Sequence, residues 1–459
     1  MFFLRCLAFG SLLISGITTA HAQFAPTPTI VEAPGSGPGL GVRLRTGDAN
    51  NDGIPDLLRC GRTPSKVDYY LGTGNGTFSV AQPVSGPFTE VADALLADYN
   101  SDGKADLLVL DNRAKALYLY LNSNSSFPTR TPITSPRMGA NGAVTTRMVS
   151  GDFTGDGHMD VLVKDHFTVL LFPGAGNGTF DTARSVIPDS LQTELYDLVT
   201  GNFNGDAFPD FAVATSGFMT FLNTGTGSFT YAGTTAGTIS FLLAPGDLTG
   251  DGIDDMLMAD NTAHVFANNG SGVFNSIGLL KPANASYRDF AFADVDGDGK
   301  TDVLGVYDQV NRAVWFKNLG SGVLDTQQLV HQEAVPTGAL YGCVLRDMNG
   351  DSRPDAVWAN LNGRIGIQLN TTTPSGIDKA TAFPEIQVYP NPAISGKQVW
   401  VEVPAAIRIS LVNSIGLEVL NANLPAGKTQ IALPYPPGTY FLRIACLDKT
   451  VVRKVILLE

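Results

Sequence analysis

An aspartate-rich loop of nine residues recurs seven times along this chain, and it constrains the fold more than any other feature. The first copy is Asp48-Ala49-Asn50-Asn51-Asp52-Gly53-Ile54-Pro55-Asp56, and its relatives begin at Asp98, Asp152, Asn202, Asp247, Asp294 and Asp347. Oxygen-bearing side chains recur at loop positions 1, 3, 5 and 9. In chain order these sets are Asp48, Asn50, Asp52 and Asp56; Asp98, Asn100, Asp102 and Asp106; Asp152, Thr154, Asp156 and Asp160. The later ones are Asn202, Asn204, Asp206 and Asp210; Asp247, Thr249, Asp251 and Asp255; Asp294, Asp296, Asp298 and Asp302; Asp347, Asn349, Asp351 and Asp355. A hard cation such as Ca²⁺ takes about six to eight oxygens, and a loop curled around the ion supplies them from alternate residues. Position 6 is usually Gly, which permits the sharp turn that leaves the next carbonyl facing inward. Up to seven calcium sites are therefore expected. The loop at Asp294, with four carboxylates, is expected to bind tightest. The loop at Asn202, with two carboxylates and Ala207 in place of the turn Gly, is expected to be weakest or empty.

The loops are not EF-hands, which need a bidentate Glu at position 12 and flanking helices. Position 12 here is Arg59, Val109, Val163, Val213, Met258, Gly305 and Trp358. Each loop instead runs into a short apolar segment such as Leu107-Leu108-Val109-Leu110 or Val161-Leu162-Val163. Short runs of this kind closed by turn residues read as buried strands.

Loop starts are spaced by 50, 54, 50, 45, 47 and 53 residues, and a period of about 40–50 residues containing several strands is the signature of propeller blades. Within a period one strand precedes the loop, a second follows it, and a third ends in a Gly/Asn turn with an aromatic residue, as in Tyr69 to Phe78 and Leu171 to Phe180. A more polar fourth strand follows, as an outer edge should. The seventh unit lacks this strand after Leu369-Asn370, whereas Phe24 to Val31 supplies a spare one. That segment is expected to complete the last blade and remove the free sheet edges of an open array. Its prolines suit an outermost strand.

On these residues the chain resembles FG-GAP/VCBS-type repeat proteins, found on bacterial surfaces and, more distantly, in the integrin α-chain propeller. The resemblance covers roughly residues 24–370, within a propeller domain expected over 23–370. It implies an all-β fold, a seven-bladed β-propeller with calcium between the first and second strands of each blade, and it leaves function open.

Residues 1–22 read as a signal peptide, with Arg5, an apolar stretch from Leu7 to Ile17, and Ala20-His21-Ala22 before Gln23. No run is long enough for a membrane span, so no transmembrane segment is expected. The net charge of −13 has a local origin, because 21 of the 43 acidic residues are loop aspartates. Nucleic acid is disfavoured as a partner, since no Lys/Arg stripe is present to neutralise phosphates. Cys60 and Cys343 fall in blades that ring closure makes neighbours; buried thiols are the favoured reading and a disulfide the alternative.

A Thr/Pro/Ser-containing linker at 371–385 leads to a second module at 386–459, expected from its alternating strands to be a small C-terminal β-sandwich. Val388-Tyr389-Pro390-Asn391-Pro392-Ala393, Ser414-Ile415-Gly416, Gly438-Thr439-Tyr440 and the basic-apolar tail resemble the type A sorting domain of the type IX secretion system. The resemblance implies secretion machinery as a partner and a secreted or cell-surface location. The alternative is an Ig-like binding domain.

No catalytic residues are assigned. His158 occupies position 7 of a loop, and its ring is expected to face solvent; His166, His264 and His331 fall in different blades with no adjoining Cys, Ser or carboxylate motif. GxSxG, HExxH, Walker-type and Cys/His zinc patterns do not occur. Tyr69, Tyr70, Tyr118, Tyr120, Trp315 and Trp358 are suited to stacking on sugars, but their places on second and third strands favour packing between blades. The leading function class is a non-catalytic propeller that binds a surface glycan or protein. The alternative is a polysaccharide-active enzyme, a lyase or hydrolase, on the same scaffold.

Overall fold

The computed structural model describes residues 24–32, 43–123, 126–139, 147–260, 262–280, 285–333 and 338–372, together with strand segments between 387 and 458. Two compact units are present, Met1–Pro374 and Ser375–Glu459. The expected signal peptide, linker residues 373–385, Pro390 to Pro392 and Ser414 to Gly416 lie outside the described residues.

The first unit is a seven-bladed β-propeller. Every second strand begins at the ninth loop residue: Asp56, Asp106, Asp160, Asp210, Asp255, Asp302 and Asp355. The strands on either side of a loop pair antiparallel, with Gly47 opposite Asp56 in blade one and Gly246 opposite Asp255 in blade five. Six blades have four strands in simple order, as in Val91–Ala97, Asp106–Asp111, Ala116–Tyr120 and Arg130–Thr134 of blade two. Blade four reaches the same count differently. Its continuous Asp210–Asn223 segment doubles back near Gly217, at φ 101°, and stacks Phe221 on Phe211 with ring centroids 4.7 Å apart. In a straight strand those residues would be ~33 Å apart.

Ring closure is as expected from sequence. Thr29–Glu32 pairs antiparallel with Arg364–Gln368, and the Ala25 N–H donates to the Leu369 carbonyl at 2.8 Å. The core is distributed over the joints. Leu58, Val67 and Tyr69 of blade one pack with Leu107, Val109 and Tyr120 of blade two. Leu57 and Tyr70 pack with Val357, Ile365 and Ile367 at the closing joint. Trp315 and Trp358 fill the joint between blades six and seven. Five of the six candidate stacking aromatics are therefore core residues. The sixth, Tyr118, is half-buried beneath the Arg130 guanidinium, 4.2 Å from its ring centre. Cys60 and Cys343 are buried free thiols, and burial pushes the Cys60 thiol up to about 12.

Around the axis the innermost strands are joined by carboxylates, buried at Asp93 and Asp197 and half-buried at Asp289. Asp93, Asp197 and Asp289 of blades two, four and six accept backbone N–H bonds from Met148, Leu243 and Cys343 of the following blades, at 3.4, 3.0 and 3.2 Å. Arg45 pairs with Asp93, and Arg147 with Asp197. Burial works to raise the Asp197 pKa, but the Arg147 guanidinium outweighs it and holds the carboxyl below its usual range.

The second unit contains two small sheets. One joins Gln387–Tyr389, Gln398–Val403 and Gly427–Ala432; the other is built around Ile407–Asn413, Gly438–Cys446 and Lys449–Leu458. Val399 and Val401 of the first share a core with Ile409, Leu411 and Leu442 of the second. Among the described residues no helix is long and apolar enough to cross a membrane.

Candidate functional site

All seven loops share the hold on their ninth residue, and six share the rest of the hydrogen-bond pattern. Besides the N–H that Thr154 and Thr249 add in loops three and five, the buried ninth-position carboxylate accepts two backbone N–H bonds. One comes from loop position 2 (Ala49 to Asp56 at 2.7 Å, Leu248 to Asp255 at 2.9 Å), the other from the end of the third strand (Gly72 to Asp56 at 2.7 Å, Asn268 to Asp255 at 2.9 Å). Burial pushes these carboxyls up despite the backbone bonds, Asp210 and Asp355 to about 6 and Asp302 to about 7. The position-1 carboxylate accepts the position-6 N–H in six loops, as from Gly53 to Asp48 at 2.8 Å and Ser352 to Asp347 at 2.6 Å. The position-5 carboxylate accepts the position-7 N–H, as from Ile54 to Asp52 at 2.8 Å. Position 4 is also left-handed throughout, at Asn51, Ser101 and five glycines, a requirement that the sequence reading placed only at position 6.

The oxygens of loop six are spaced to fit a hard cation. Asp294, Asp296 and Asp302 each offer an oxygen within 4.8 Å of the others, a separation matching ligands about 2.3–2.6 Å from one Ca²⁺. In loops three and five the position-3 hydroxyls of Thr154 and Thr249 are buried without a well-formed hydrogen bond. Each still lies close enough to Asp160 or Asp255 to favour the ionised carboxylate.

Loop four departs from this pattern. The Asn202 side-chain oxygen accepts from Gly205 N–H, at 2.8 Å, with no bond from position 6, and Ala207 is not left-handed. Asp254 of blade five grips the loop from outside, accepting the Asn202 N–H at 2.8 Å and donating its own N–H to the Asn202 carbonyl at 2.9 Å.

Sequence reading missed the device that ties the loops into a ring. Asn122, Asn223, Asn268, Asn318 and Asn370 end the third strands of five blades. Each donates from Nδ2 to the position-2 carbonyl of the preceding blade (Ala49, Phe153, Phe203, Leu248, Val295) and to the position-8 carbonyl of its own loop. Blades one and three carry Gly72 and Gly174 instead, and a Cβ there would meet the position-8 carbonyl at 2.4 and 2.2 Å. Their joints use a turn glycine: Gly76 N–H donates to Met348 O at 2.9 Å and Gly178 N–H to Tyr99 O at 3.0 Å.

The FG-GAP-like repeat model matches residues 48–109, 98–163, 247–305 and 294–358, and the secretion system C-terminal sorting domain matches 387–458. The chain is an FG-GAP-repeat propeller protein with a type IX sorting domain. It is accordingly a cell-surface or secreted protein. Loop four alone lies outside the matched repeat ranges, in keeping with its altered hydrogen bonding. No curated protein matches the chain. Among solved structures it resembles an Agrocybe aegerita lectin that specifically recognises non-reducing terminal N-acetylglucosamine, with 21% identity, TM-score 0.52, and coverage of 70% of this chain and 86% of the lectin. It also resembles BBS1N in complex with ARL6DN, with 12% identity, TM-score 0.51, and coverage of 75% of this chain and 95% of that one. At these identities the likeness concerns the fold.

The histidines of this FG-GAP-repeat protein do not converge. His158 is half-buried, with Nδ1 3.2 Å from Ser101 Oγ of the neighbouring loop, instead of facing solvent freely. Two others do have carboxylate neighbours: His166 Nε2 is 3.9 Å from Glu194 and His331 Nε2 is 3.7 Å from Glu333. His331 also stacks on Trp358 at 4.1 Å, and Arg364 holds Glu333 through both carboxylate oxygens. Burial lowers the His331 pKa, against the pull of Glu333. Beside loop six a cleft of about 320 Å³ opens between blades six and seven, lined by Asp294, Asp296, Ser352, Arg353, Pro354 and Thr372.

Proposed function

We propose that the propeller is a calcium-stabilised, non-catalytic recognition module that displays a binding surface for a glycan or protein outside the cell. The observation that carries this reading is the shared loop geometry. It presents oxygens at positions 1, 3, 5 and 9 on a frame of backbone hydrogen bonds, where a bound cation would brace each first strand against the second. Asp, Asn and Thr side chains would hold the ion in loops one, two, three, five, six and seven, with loop four weakest. The glycan half is supported by the fold shared with the N-acetylglucosamine lectin. It is also supported by the cleft beside loop six, whose carboxylates, hydroxyls and guanidinium suit hydrogen bonds to sugar hydroxyls. Its volume lies at the small end of the ~300–1,000 Å³ typical of ligand pockets.

A glycan-array screen of the mature protein, with calcium and with chelator, tests this. Selective binding that chelator weakens is the expected result. Absence of glycan or surface-protein binding, together with cleavage of a polysaccharide by the purified protein, would replace the reading with the enzymatic one.

A further inference from the structure

We propose that Lys317 is an internal cation of loop six, which sets that loop's calcium affinity below that of the three-carboxylate loops one, two, three and five; this rests on the calcium reading of the loops. Position 3 is neutral in six loops, namely Asn50, Asn100, Thr154, Asn204, Thr249 and Asn349, whereas loop six has Asp296, only 1% exposed. One further position changes with it. The residue before the end of the third strand is Leu71, Leu121, Pro173, Leu222, Ala267 or Leu369 in the other blades, and Lys317 in blade six. The Lys317 ammonium is paired with Asp296 and lies 2.9 Å from Asp298 Oδ2.

This pair takes over the work of an amide. In the loops with Asn at position 3, Nδ2 donates to the position-5 carboxylate, as from Asn50 to Asp52 at 2.8 Å and from Asn349 to Asp351 at 3.0 Å. Asp296 has no such donor when ionised, and the Lys317 ammonium supplies it to both carboxylates. The exchange also leaves loop charge unchanged, because the fourth carboxylate arrives with one ammonium. Asp296 belongs to the same oxygen cluster as Asp294 and Asp302. An incoming ion must therefore share that carboxylate with a tethered cation or displace it. Repulsion between the ammonium and the ion offsets the attraction of the added carboxylate, and breaking the Lys317–Asp296 pair around a buried carboxylate adds a cost that the Asn-bearing loops do not have. Counting carboxylates alone ranks loop six first, whereas including Lys317 places it below loops one, two, three and five; loop seven carries a cation of its own, Arg353 on Asp351.

The test compares the full-length protein with Lys317→Leu and with the double variant Asp296→Asn/Lys317→Leu, which restores the pattern of the neighbouring blades. Anomalous scattering from crystals equilibrated at graded calcium concentrations reads each loop separately. In the unmodified protein, loop six should fill only at concentrations about tenfold above those that fill loop five. Lys317→Leu should erase that gap; it should also unfold at lower urea in chelator, because Asp296 loses its partner, and recover when calcium is added. If Lys317→Leu does not fold without calcium, the double variant carries the comparison, with loop six filling alongside loop five. Equal filling of loops five and six in the unmodified protein, or an unchanged gap in the variants, overturns the proposal alone. No calcium at any loop overturns the calcium reading and this proposal together.

Discussion

The asparagine bridges divide into two groups, and alanine substitution should separate them. Phe153, Phe203 and Leu248 carbonyls each accept a second bond from a turn glycine, Gly227 at 2.8 Å, Gly272 at 3.0 Å and Gly322 at 2.9 Å. Replacing Asn223, Asn268 or Asn318 therefore leaves the carbonyl of the preceding blade satisfied. Ala49 and Val295 carbonyls have no second donor among the described residues, so Asn122→Ala and Asn370→Ala remove the one donor described for each. The two lost Nδ2 bonds cost about 1–3 kcal/mol in every variant, the Oδ1 bond lost with Asn223, Asn268, Asn318 or Asn370 about 0.5–1.5 kcal/mol more, and a stranded buried carbonyl adds about 1–3 kcal/mol. The second group should be destabilised by the larger sum. Urea unfolding at fixed calcium, followed by circular dichroism and by tryptophan emission to check for a single transition, measures the difference. If Asn122→Ala and Asn370→Ala are no more damaging than the other three, the bridges are geometric consequences of blade packing and not its fasteners.

Removal of calcium should lower the melting temperature; a ~10⁻⁴ M site at ~1 mM free ion contributes about 1.4 kcal/mol, and an unchanged melting curve after chelation would refute the stabilising role. In metal-free protein the raised carboxyls of Asp210, Asp355 and Asp302 hold their protons after the unfolded chain has lost its own, above 3.8. Their contribution should thus be present below that pH and be lost as pH rises through about 6 to 7. Saturating calcium, which favours the ionised form, should flatten this fall, and differential scanning calorimetry across that range reads both slopes. Deleting residues 23–33 bares the Arg364–Gln368 strand and should yield a folded but self-associating protein by light scattering; a stable monomer would contradict the closing role. Removing residues 379–459 should leave the purified propeller as stable and as calcium-responsive as before, but confine it within the outer membrane of its native host. External protein that keeps Glu459 by mass spectrometry would contradict removal of the sorting domain on export.

What was legible in the sequence was whatever repeats over short distances. A loop of alternating oxygens, a strand opening at its ninth residue and a turn glycine at φ near +80° are local rules, and they fixed the blades, the number seven and the closing strand. The features that escaped notice depend on neighbours across a joint or around the axis. Asp93, Asp197 and Asp289 read as isolated charges until alternate inner strands bring each beneath the next blade's N–H. Lys317 reads as a surface lysine until the third strand of blade six carries it over Asp296, 21 residues earlier.

The asparagine bridges occupy an intermediate case, and they show how a repeat can be used as a ruler. Each spans 65 to 75 residues to the preceding loop, at 73, 70, 65, 70 and 75. That distance is one blade period plus the short path from a loop to the end of its own third strand. A residue type that recurs at the end of the third strand, and gives way only to Gly where Cβ has no room, marks a contact that every joint must make. The joint between blades seven and one obeys the same rule through Gly76 and Met348, although nearly the whole propeller separates them in sequence. The chain therefore encodes its long-range closure with the same short-range signal that it uses between consecutive blades. An N-terminal strand suffices to complete the ring because the first blade already carries the fastening that the last blade needs.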